Sequence, residues 1–176
     1  MKLSIVIPVY NSANILKKLI TEISSNLSKK FDRDYEIIFV NDFSKDNSWE
    51  IIKKISSEFN FVKGINLNHN VGQHGAIFVG LKHSIGNKII MMDDDLQHPP
   101  QSLISIYDQL DSFDACYTLY LKRKHVTWKI IVSYINNIFS SFIFNKPFKI
   151  YTSSMKGIRS EIKDNFIDNN LKIINL

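Results

Sequence analysis

The chain has 176 residues and a mass of 20.4 kDa, a length typical of one domain. Hydrophobic residues make up 44% of it and charged residues 22%, which excludes a disordered or collagen-like protein. The 22 Lys and Arg exceed the 17 Asp and Glu, and the resulting charge of +5 suits an anionic partner such as a phosphate group, a nucleic acid or a membrane surface.

Apolar runs of strand length alternate along the chain with segments of helical period. The predicted strands are residues 2–9, 35–40, 62–67, 88–92 and 114–119. Four helices are predicted. The first begins at residue 12, the second follows a cap at Ser44 or Asp46, the third spans residues 73–85, and the fourth begins at the Pro99–Pro100 pair. This order predicts an α/β fold with a mainly parallel sheet flanked by helices on both faces.

Ligands of such sheets bind outside the carboxyl ends of the strands. That rule directs attention to four segments, residues 8–11, 41–46, 68–73 and 93–97, which hold most of the unusual polar chemistry in the chain. The segments contain neither a P-loop, since G-x-x-x-x-G-K-[ST] is absent, nor a glycine-rich dinucleotide turn after the first strand.

The acidic triplet Asp93, Asp94 and Asp95 follows a strand directly. Adjacent carboxylates repel one another, and a hard divalent cation such as Mg²⁺ or Mn²⁺ relieves that repulsion through oxygen ligands. If the strand alternation continues, Asp93 and Asp95 point to one side and Asp94 points away. Taken alone, the triplet fits a solvated turn or helix cap better than a metal site.

Two other strand ends carry candidate ligand contacts. Asp42 could accept a hydrogen bond from a nucleobase N–H, whereas Ser44 and Asp46 fit helix capping better. Gly72 would allow close approach of a ligand to the backbone, and the helix that follows it offers its N-terminus to an anion.

The remaining reactive residues point to no other site. The single cysteine, Cys116, excludes an internal disulfide, favours a reducing compartment and fits a core position in its strand. The five histidines are not spaced with a cysteine as zinc ligands, and His98 is expected to be exposed or to support the acidic turn. The N-terminal apolar run is too short for a signal peptide, and no stretch predicts a membrane-spanning helix.

Four strings in register, SIVIPVYNSANIL, VNDFSKDNSWEII, NHNVGQHGAIFVGL and MMDDDLQHPP, closely resemble glycosyltransferase family 2. Their order and spacing resemble the polyprenyl-phosphate glycosyltransferase branch, which is related to dolichyl-phosphate mannosyltransferases. The resemblance is strong over residues 1–125 and continues weakly through YTSSMKGIRSE. It implies a GT-A nucleotide-sugar-binding core at 1–125, with an amphipathic helix and a partial acceptor side of the same domain at 126–176.

The resemblance also implies roles for individual residues around a UDP- or GDP-linked sugar donor. Pro8, Tyr10 and Asn11 would lie around the base and ribose, and Asp42 would bind the base, with Phe43 in place of a commonly smaller residue. Asp93 and Asp95 would hold Mg²⁺ or Mn²⁺, chiefly through Asp95, and Gln97 would support the diphosphate. The remaining implied contacts are Asn70, Gly72, Gln73 and Asp94 to the donor, and Lys156 and Arg159 to a donor or acceptor phosphate.

The implied reaction is sugar transfer with inversion, to a polyprenyl-phosphate lipid or a cell-envelope glycan precursor. A phosphate acceptor is ionised near neutral pH and needs no strong base, which agrees with the lack of a well-placed Asp after Asp114, since Asp164 and Asp168 lie near the chain end. Residues 122–142 form a basic amphipathic pattern, which fits a helix at the membrane surface as well as a core-packing helix.

These features predict a cytoplasmic protein at the inner face of the plasma membrane, with no nucleic-acid partner and an oligomeric state that the sequence leaves open. Related proteins of this branch usually continue well beyond 176 residues. Two alternatives therefore stay open, a non-catalytic sugar-nucleotide-binding protein and a membrane-surface module that uses the basic segment.

Overall fold

A computed structural model describes residues 1–97, 99, 101–119 and 152–163. The strands are β1 (Leu3–Val9), β2 (Tyr35–Asn41), β3 (Val62–Asn66), β4 (Lys88–Met91), β5 (Ala115–Leu119) and β6 (Thr152–Arg159). The helices are α1 (Leu16–Phe31), α2 (Ser48–Glu58), α3 (Gly72–His83) and α4 (Gln101–Gln109), and a single 3₁₀ turn spans Ser160–Ile162.

The strands form one sheet in the order β3-β2-β1-β4-β6-β5. The first four strands in the chain pair in parallel, with β1 between β2 and β4. This arrangement confirms the predicted mainly parallel sheet. The sequence did not predict β6, which runs antiparallel between β4 and β5 and brings residues 152–159 into the same sheet as the N-terminal strands.

Helices cover both faces of the sheet, as predicted. Every residue of β1 and β2 is buried, and the alternation of strand side chains sends Ile5 and Ile7 to one face and Val6 to the other. The first face packs against α1, α2 and α4, and the second against α3. The two-sided burial explains why these strands read as continuous apolar runs rather than as alternating patterns.

Helix α3 approaches the sheet closely through Gly80. A Cβ at this position would stand 2.3 Å from Cγ1 of Val6, so only glycine allows this separation. The close approach matters for the site because α3 begins at Gly72, at the carboxyl edge of the sheet, and its packing on β1 determines where that N-terminus lies.

One helix boundary differs from the prediction and one agrees with it. Helix α1 begins at Leu16 rather than at residue 12, whereas α2 begins at Ser48, two residues after Asp46, one of its two predicted caps. In both cases the residues before the helix form a turn whose polar groups bond to the other loop instead of continuing the helix. Asp46 nevertheless accepts a hydrogen bond from the N–H of Ser48 at 3.0 Å, as a capping residue does.

Glu36 is a buried carboxylate near the start of β2, with 1% of its side chain exposed. It accepts hydrogen bonds from the Ser4 hydroxyl at 2.6 Å and the Ile85 N–H at 2.8 Å, and it pairs with the Lys63 ammonium at 2.7 Å. Burial opposes its ionisation, but the interactions with Lys63, Ser4 and Ile85 prevail and hold the pKa of Glu36 below its ordinary value.

Several predictions concern residues outside the described part of the chain. These are the amphipathic helix over 122–142, the position of His98, the helix-opening role of Pro100, and the placement of Asp164 and Asp168. Among the described residues, no helix combines the length and apolar character needed to cross a membrane.

Candidate functional site

A cavity of about 500 Å³ opens at the carboxyl ends of the parallel strands. It brings together residues from all four segments that the sequence analysis singled out. Its lining consists of Pro8, Val9, Tyr10, Asp42, Asn70, Gly72, Gln73, Asp93, Asp94 and Asp95. The predicted convergence of these segments therefore holds, because parallel strands end at the same edge of the sheet.

Asp42 lies at the buried side of the cavity, with 3% of its surface exposed. One of its carboxylate oxygens accepts a hydrogen bond from the backbone N–H of Val71 at 2.7 Å. The side chain thus holds the loop before α3 against the end of β2. A nucleobase N–H that reached Asp42 would find one carboxylate oxygen already engaged.

Asn70 and Gly72 shape the same loop. The Asn70 amide donates to the backbone carbonyl of Asp42 at 3.1 Å, and its carbonyl oxygen accepts the N–H of Gly72 at 3.2 Å. Gly72 has a φ of 77°, a left-handed conformation that favours glycine, and no atom lies within 4 Å of the position of an added Cβ. The first turn of α3 is therefore open on the cavity side, where the N-terminal end of the helix favours an anion.

The loop after β1 and the loop after β2 are joined by hydrogen bonds on both sides of Asn11. Its side-chain oxygen accepts the N–H of Lys45 at 2.8 Å, and its own N–H donates to the Ser44 hydroxyl at 2.9 Å. Asn11 is exposed and does not line the cavity, although the resemblance implies a donor contact for it. In this structure Asn11 orients the loop that carries Tyr10.

Two further contacts join these loops. The Ser48 hydroxyl accepts the N–H of Ser12 at 2.9 Å, and a carboxylate oxygen of Asp46 accepts the N–H of Ala13 at 3.0 Å. Burial opposes ionisation of Asp46, but the hydrogen bonds from Ser48 and Ala13 outweigh it and lower its pKa. We call the group Asn11, Ala13, Ser44, Asp46 and Ser48 the two-loop clamp.

The acidic turn after β4 does not follow the strand alternation expected of it. Strand β4 ends at Met91, and residues 94–96 form a bend with Leu96 at a φ of 58°. All three aspartates line the cavity. The alternation of side chains requires extended backbone, which stops before the triplet, so the strand pattern does not determine where these carboxylates lie.

Each of the three carboxylates has a different environment. Asp93 accepts a hydrogen bond from the Gln73 side-chain amide, and exposed Asp95 accepts the N–H of Gln97 at 3.0 Å. Asp94 lies deeper, within hydrogen-bonding reach of the Ser12 hydroxyl and the Tyr10 backbone. Burial raises the pKa of Asp94 above its ordinary value, whereas Asp95 faces water.

The carboxylates of the acidic turn fit a divalent cation that takes only some of its ligands from the protein. Within the described residues, no three His, Cys, Asp or Glu side chains form a complete set of protein ligands. Asp95 retains a carboxylate oxygen that its bond to Gln97 does not use. This donor set suits Mg²⁺ or Mn²⁺, which bind through one or two carboxylates and take their remaining ligands from water and substrate phosphates.

The two cations expected to bind phosphate lie at different ends of the sheet. Lys156 pairs with Met91, the last residue of β4, and so lies near the carboxyl edge. Arg159 pairs with Lys88, the first residue of β4, about 10 Å away along the strand. Arg159 faces Asp114 at 3.4 Å and Glu161 at 3.6 Å, so the structure does not bring it to this cavity together with Lys156, and its contact with a phosphate stays a prediction.

Gln97 and Ser12 also differ from expectation. Gln97 is exposed and does not line the cavity, and its observed role is the backbone bond that orients Asp95. Sequence reasoning missed Ser12, which lies against Asp94. Ser12 belongs to the string YNS after the first strand. The sequence around a loop serine does not show whether its hydroxyl contacts a carboxylate or only forms a turn.

The sequence profile described as Glycosyl transferase family 2 matches residues 4–166 of the chain. Curated relatives include the undecaprenyl-phosphate 4-deoxy-4-formamido-L-arabinose transferases of Salmonella choleraesuis and Salmonella typhimurium, each 32% identical over 168 residues. The match covers 94% of this chain and 51% of each relative. The chain therefore spans about half the length of the curated relatives it matches.

Solved structures of similar fold include S. aureus TarS with UDP-GlcNAc, at a TM-score of 0.62 and 23% identity over 95% of this chain and 48% of that chain. Glucosyl-3-phosphoglycerate synthase from Mycobacterium tuberculosis, with Mn²⁺, UDP and phosphoglyceric acid, matches at a TM-score of 0.69 and 15% identity over 92% of this chain and 56% of its own. Identities this low show the fold alone, and that fold is the expected GT-A fold.

Proposed function

The chain belongs to glycosyltransferase family 2, and from this membership we propose that it binds a nucleotide-diphosphate sugar for transfer to a polyprenyl phosphate. The observation that carries the proposal is the cavity at the carboxyl edge of the sheet. It combines an aromatic side chain, a buried carboxylate, an open helix N-terminus and three acidic side chains around one space. A nucleoside diphosphate with its counter-cation needs all four.

The base and the diphosphate would use different walls of the cavity. Tyr10 offers an aromatic surface to the base, and the second carboxylate oxygen of Asp42 can accept a base N–H. The first turn of α3, beginning at Gly72, favours the negative charge of the diphosphate. The solved neighbours include complexes with UDP-GlcNAc, UDP and GDP-Man, which supports a nucleotide donor.

Asp93 and Asp95 would hold the divalent cation that the acidic turn requires for charge balance. When bound, Mg²⁺ or Mn²⁺ neutralises the charge that develops on the leaving diphosphate. The residues of the chain contribute the positioning: Gln73 fixes the carboxylate of Asp93, and the N–H of Gln97 fixes that of Asp95. Two of the neighbouring structures are complexes with Mn²⁺, which supports a divalent cation.

A phosphate acceptor is the acceptor chemistry that the relatives support, since their names specify undecaprenyl phosphate. Such a group is ionised near neutral pH and can attack the sugar without a strong base. Attack opposite the leaving diphosphate would invert the anomeric centre. Lys156, near the carboxyl edge, is the described cation closest in register to the acidic turn and would help to hold the acceptor. A lipid acceptor would place the protein at the cytoplasmic face of a membrane.

A second candidate function is donor binding without transfer. The specific observation in its favour is the position of Arg159, at the far end of β4 from the cavity. Of the two cations predicted to bind phosphate, only Lys156 lies near the cavity edge in the described part of the chain. The two candidates share the donor site and differ in the acceptor step. Release of nucleoside diphosphate from a UDP-sugar on addition of undecaprenyl phosphate separates them.

Calorimetry with UDP and GDP, each with and without Mn²⁺, tests the donor site. We expect binding that requires Mn²⁺ and that Asp95→Ala weakens at least tenfold, which corresponds to about 1.4 kcal/mol. Asp108→Ala is the matched control, because Asp108 is an exposed carboxylate on α4 that pairs with Lys30. Equal binding by the wild type and Asp95→Ala would contradict the assignment of the acidic turn.

A further inference from the structure

Phe43 is a half-exposed residue next in the chain to Asp42, which lines the cavity. It follows Asp42, whose exposed fraction is 3%, yet Phe43 itself is 50% exposed. A single exposed apolar side chain is common on protein surfaces and needs no explanation by itself. The backbone of this residue supplies the second observation.

Phe43 has a φ of 56°, in the left-handed region that non-glycine residues rarely adopt. A Cβ is disfavoured there, and glycine would avoid the cost. The conformation is held by the two-loop clamp, since the next two residues, Ser44 and Lys45, both bond to Asn11. The backbone that carries this exposed aromatic ring is thus held in a costly conformation, and such conformations occur at ligand sites.

Tyr10 lies in the loop after β1, at the position that corresponds to Phe43 in the loop after β2. In the parallel pairing of β1 and β2, Val9 stands opposite Asn41, and the N–H of Asp42 donates to the carbonyl of Val9 at 2.9 Å. Tyr10 precedes Asn11 and Phe43 precedes Ser44, and those two following residues are bonded to each other. Two half-exposed aromatic residues therefore lie on the two loops that these hydrogen bonds join.

We propose that Phe43 is a base-binding residue, whose ring packs on the nucleobase that Asp42 and Tyr10 receive. The inference rests on the proposed function, because it needs a nucleotide in the cavity. A base bound through the free oxygen of Asp42 comes within reach of the adjacent residue. Aromatic side chains stack on bases through the π-face that every base has, which makes the contact favourable for uracil and guanine alike.

The test uses UMP and UDP as ligands and three variants at one position. Phe43→Ala and Phe43→Gly both remove the ring, and Phe43→Trp keeps an aromatic surface. We expect the first two to weaken UMP and UDP binding by the same factor, about tenfold, and Phe43→Trp to retain binding. Phe113→Ala is the control, since Phe113 is 57% exposed and precedes Asp114 at the opposite edge of the sheet; its binding should equal that of the wild type.

Thermal melting of the ligand-free variants separates a ligand contact from a structural role. Phe43→Gly relieves the left-handed strain, so its melting temperature should equal or exceed that of Phe43→Ala while the two lose the same affinity. Loss of affinity in Phe43→Gly alone would assign the effect to the backbone and overturn the inference. Wild-type affinity in Phe43→Ala would also overturn it, whereas failure of the wild type to bind UDP or GDP would overturn the proposed function itself.

Discussion

The side-chain amide of Gln73 donates a hydrogen bond to the carboxylate of Asp93 and so joins the first turn of α3 to the acidic turn after β4. The two residues are 20 positions apart in the chain and belong to different loops. Because the amide is neutral, the bond orients Asp93 without cancelling its charge. The carboxylate therefore remains available to a cation while its position is restricted.

Replacing Gln73 with Leu should weaken Mn²⁺-dependent UDP binding severalfold with little loss of stability. The variant removes the donor that orients Asp93, but the bond is exposed, so its net contribution to the free energy of unfolding is about 1 kcal/mol or less. Calorimetry and urea unfolding measure the two effects. Gln101→Leu is the control, since Gln101 lies on α4 and its side-chain amide bonds weakly to Asn26 of α1 at 3.4 Å. Equal loss of affinity in both variants would contradict a specific role for Gln73.

Removing the Asp46 side chain should loosen the two-loop clamp. In Asp46→Ala, the N–H groups of Ala13 and Ser48 lose their common acceptor, and loss of a helix-capping carboxylate typically costs about 1 kcal/mol. We also expect weaker binding of UMP, because Tyr10 and Phe43 lie on the two loops. Chemical denaturation and calorimetry give the two values. Asp32→Ala, at the opposite end of α1, should leave UMP binding unchanged.

A side chain at Gly80 should destabilise the fold as a whole. A Cβ there would stand 2.3 Å from Val6, so Gly80→Val forces α3 away from β1 and should lower the free energy of unfolding by about 2 kcal/mol or more. Urea unfolding measures the change. Lys82→Ala, at an exposed position of the same helix, should change stability by no more than about 0.5 kcal/mol. A stable Gly80→Val would contradict the close packing of α3.

Stability should depend on pH through Glu36. Its pKa is lowered in the folded state, so its stabilising effect is present above the ordinary value of 4.5 and is lost as the pH falls through the folded value. Glu36→Gln should therefore be less stable by about 1–3 kcal/mol at pH 7 and should lose less stability on acidification than the wild type. Parallel pH-dependent loss in both proteins would contradict the assignment.

Glu50→Gln provides the matched control for that experiment. Glu50 pairs with Lys53 on the surface of α2, and 65% of its side chain is exposed. Exposed pairs of this kind contribute little to stability, so its acid unfolding should follow that of the wild type.

The location of the site could be predicted because it depends on strand ends. Apolar runs identify parallel strands, and polar residues such as Asp42 and Asp93 that directly follow those runs must gather at one edge of the sheet. The residues that line the cavity accordingly come from the four segments singled out by the sequence. Predicting the location of the site did not require knowing which side chains contact one another.

The sequence could not place residues whose position depends on distant pairing. The antiparallel register of β6 against β4 puts Arg159 opposite Lys88, at the other end of the strand from the acidic turn. A strand from 152–159 inserted between β4 and β5 leaves no local pattern in the sequence, because its partner strands come from other parts of the chain. The orientation of Asp94 could not be predicted for a related reason, since a bend replaces the extended backbone at 94–96.

The amino-acid sequence alone determined the class of fold, the family resemblance and the edge of the sheet at which ligands would bind, because hydrophobic periodicity and the residues after each strand are local properties. The tertiary structure decided which polar groups touch: Gln73 with Asp93, Ser12 with Asp94, and Asn11 with the loop that carries Phe43. Hydrogen bonds depend on distance and angle to within fractions of an ångström, and those are settled only when all the strands have paired and the helices have packed on them.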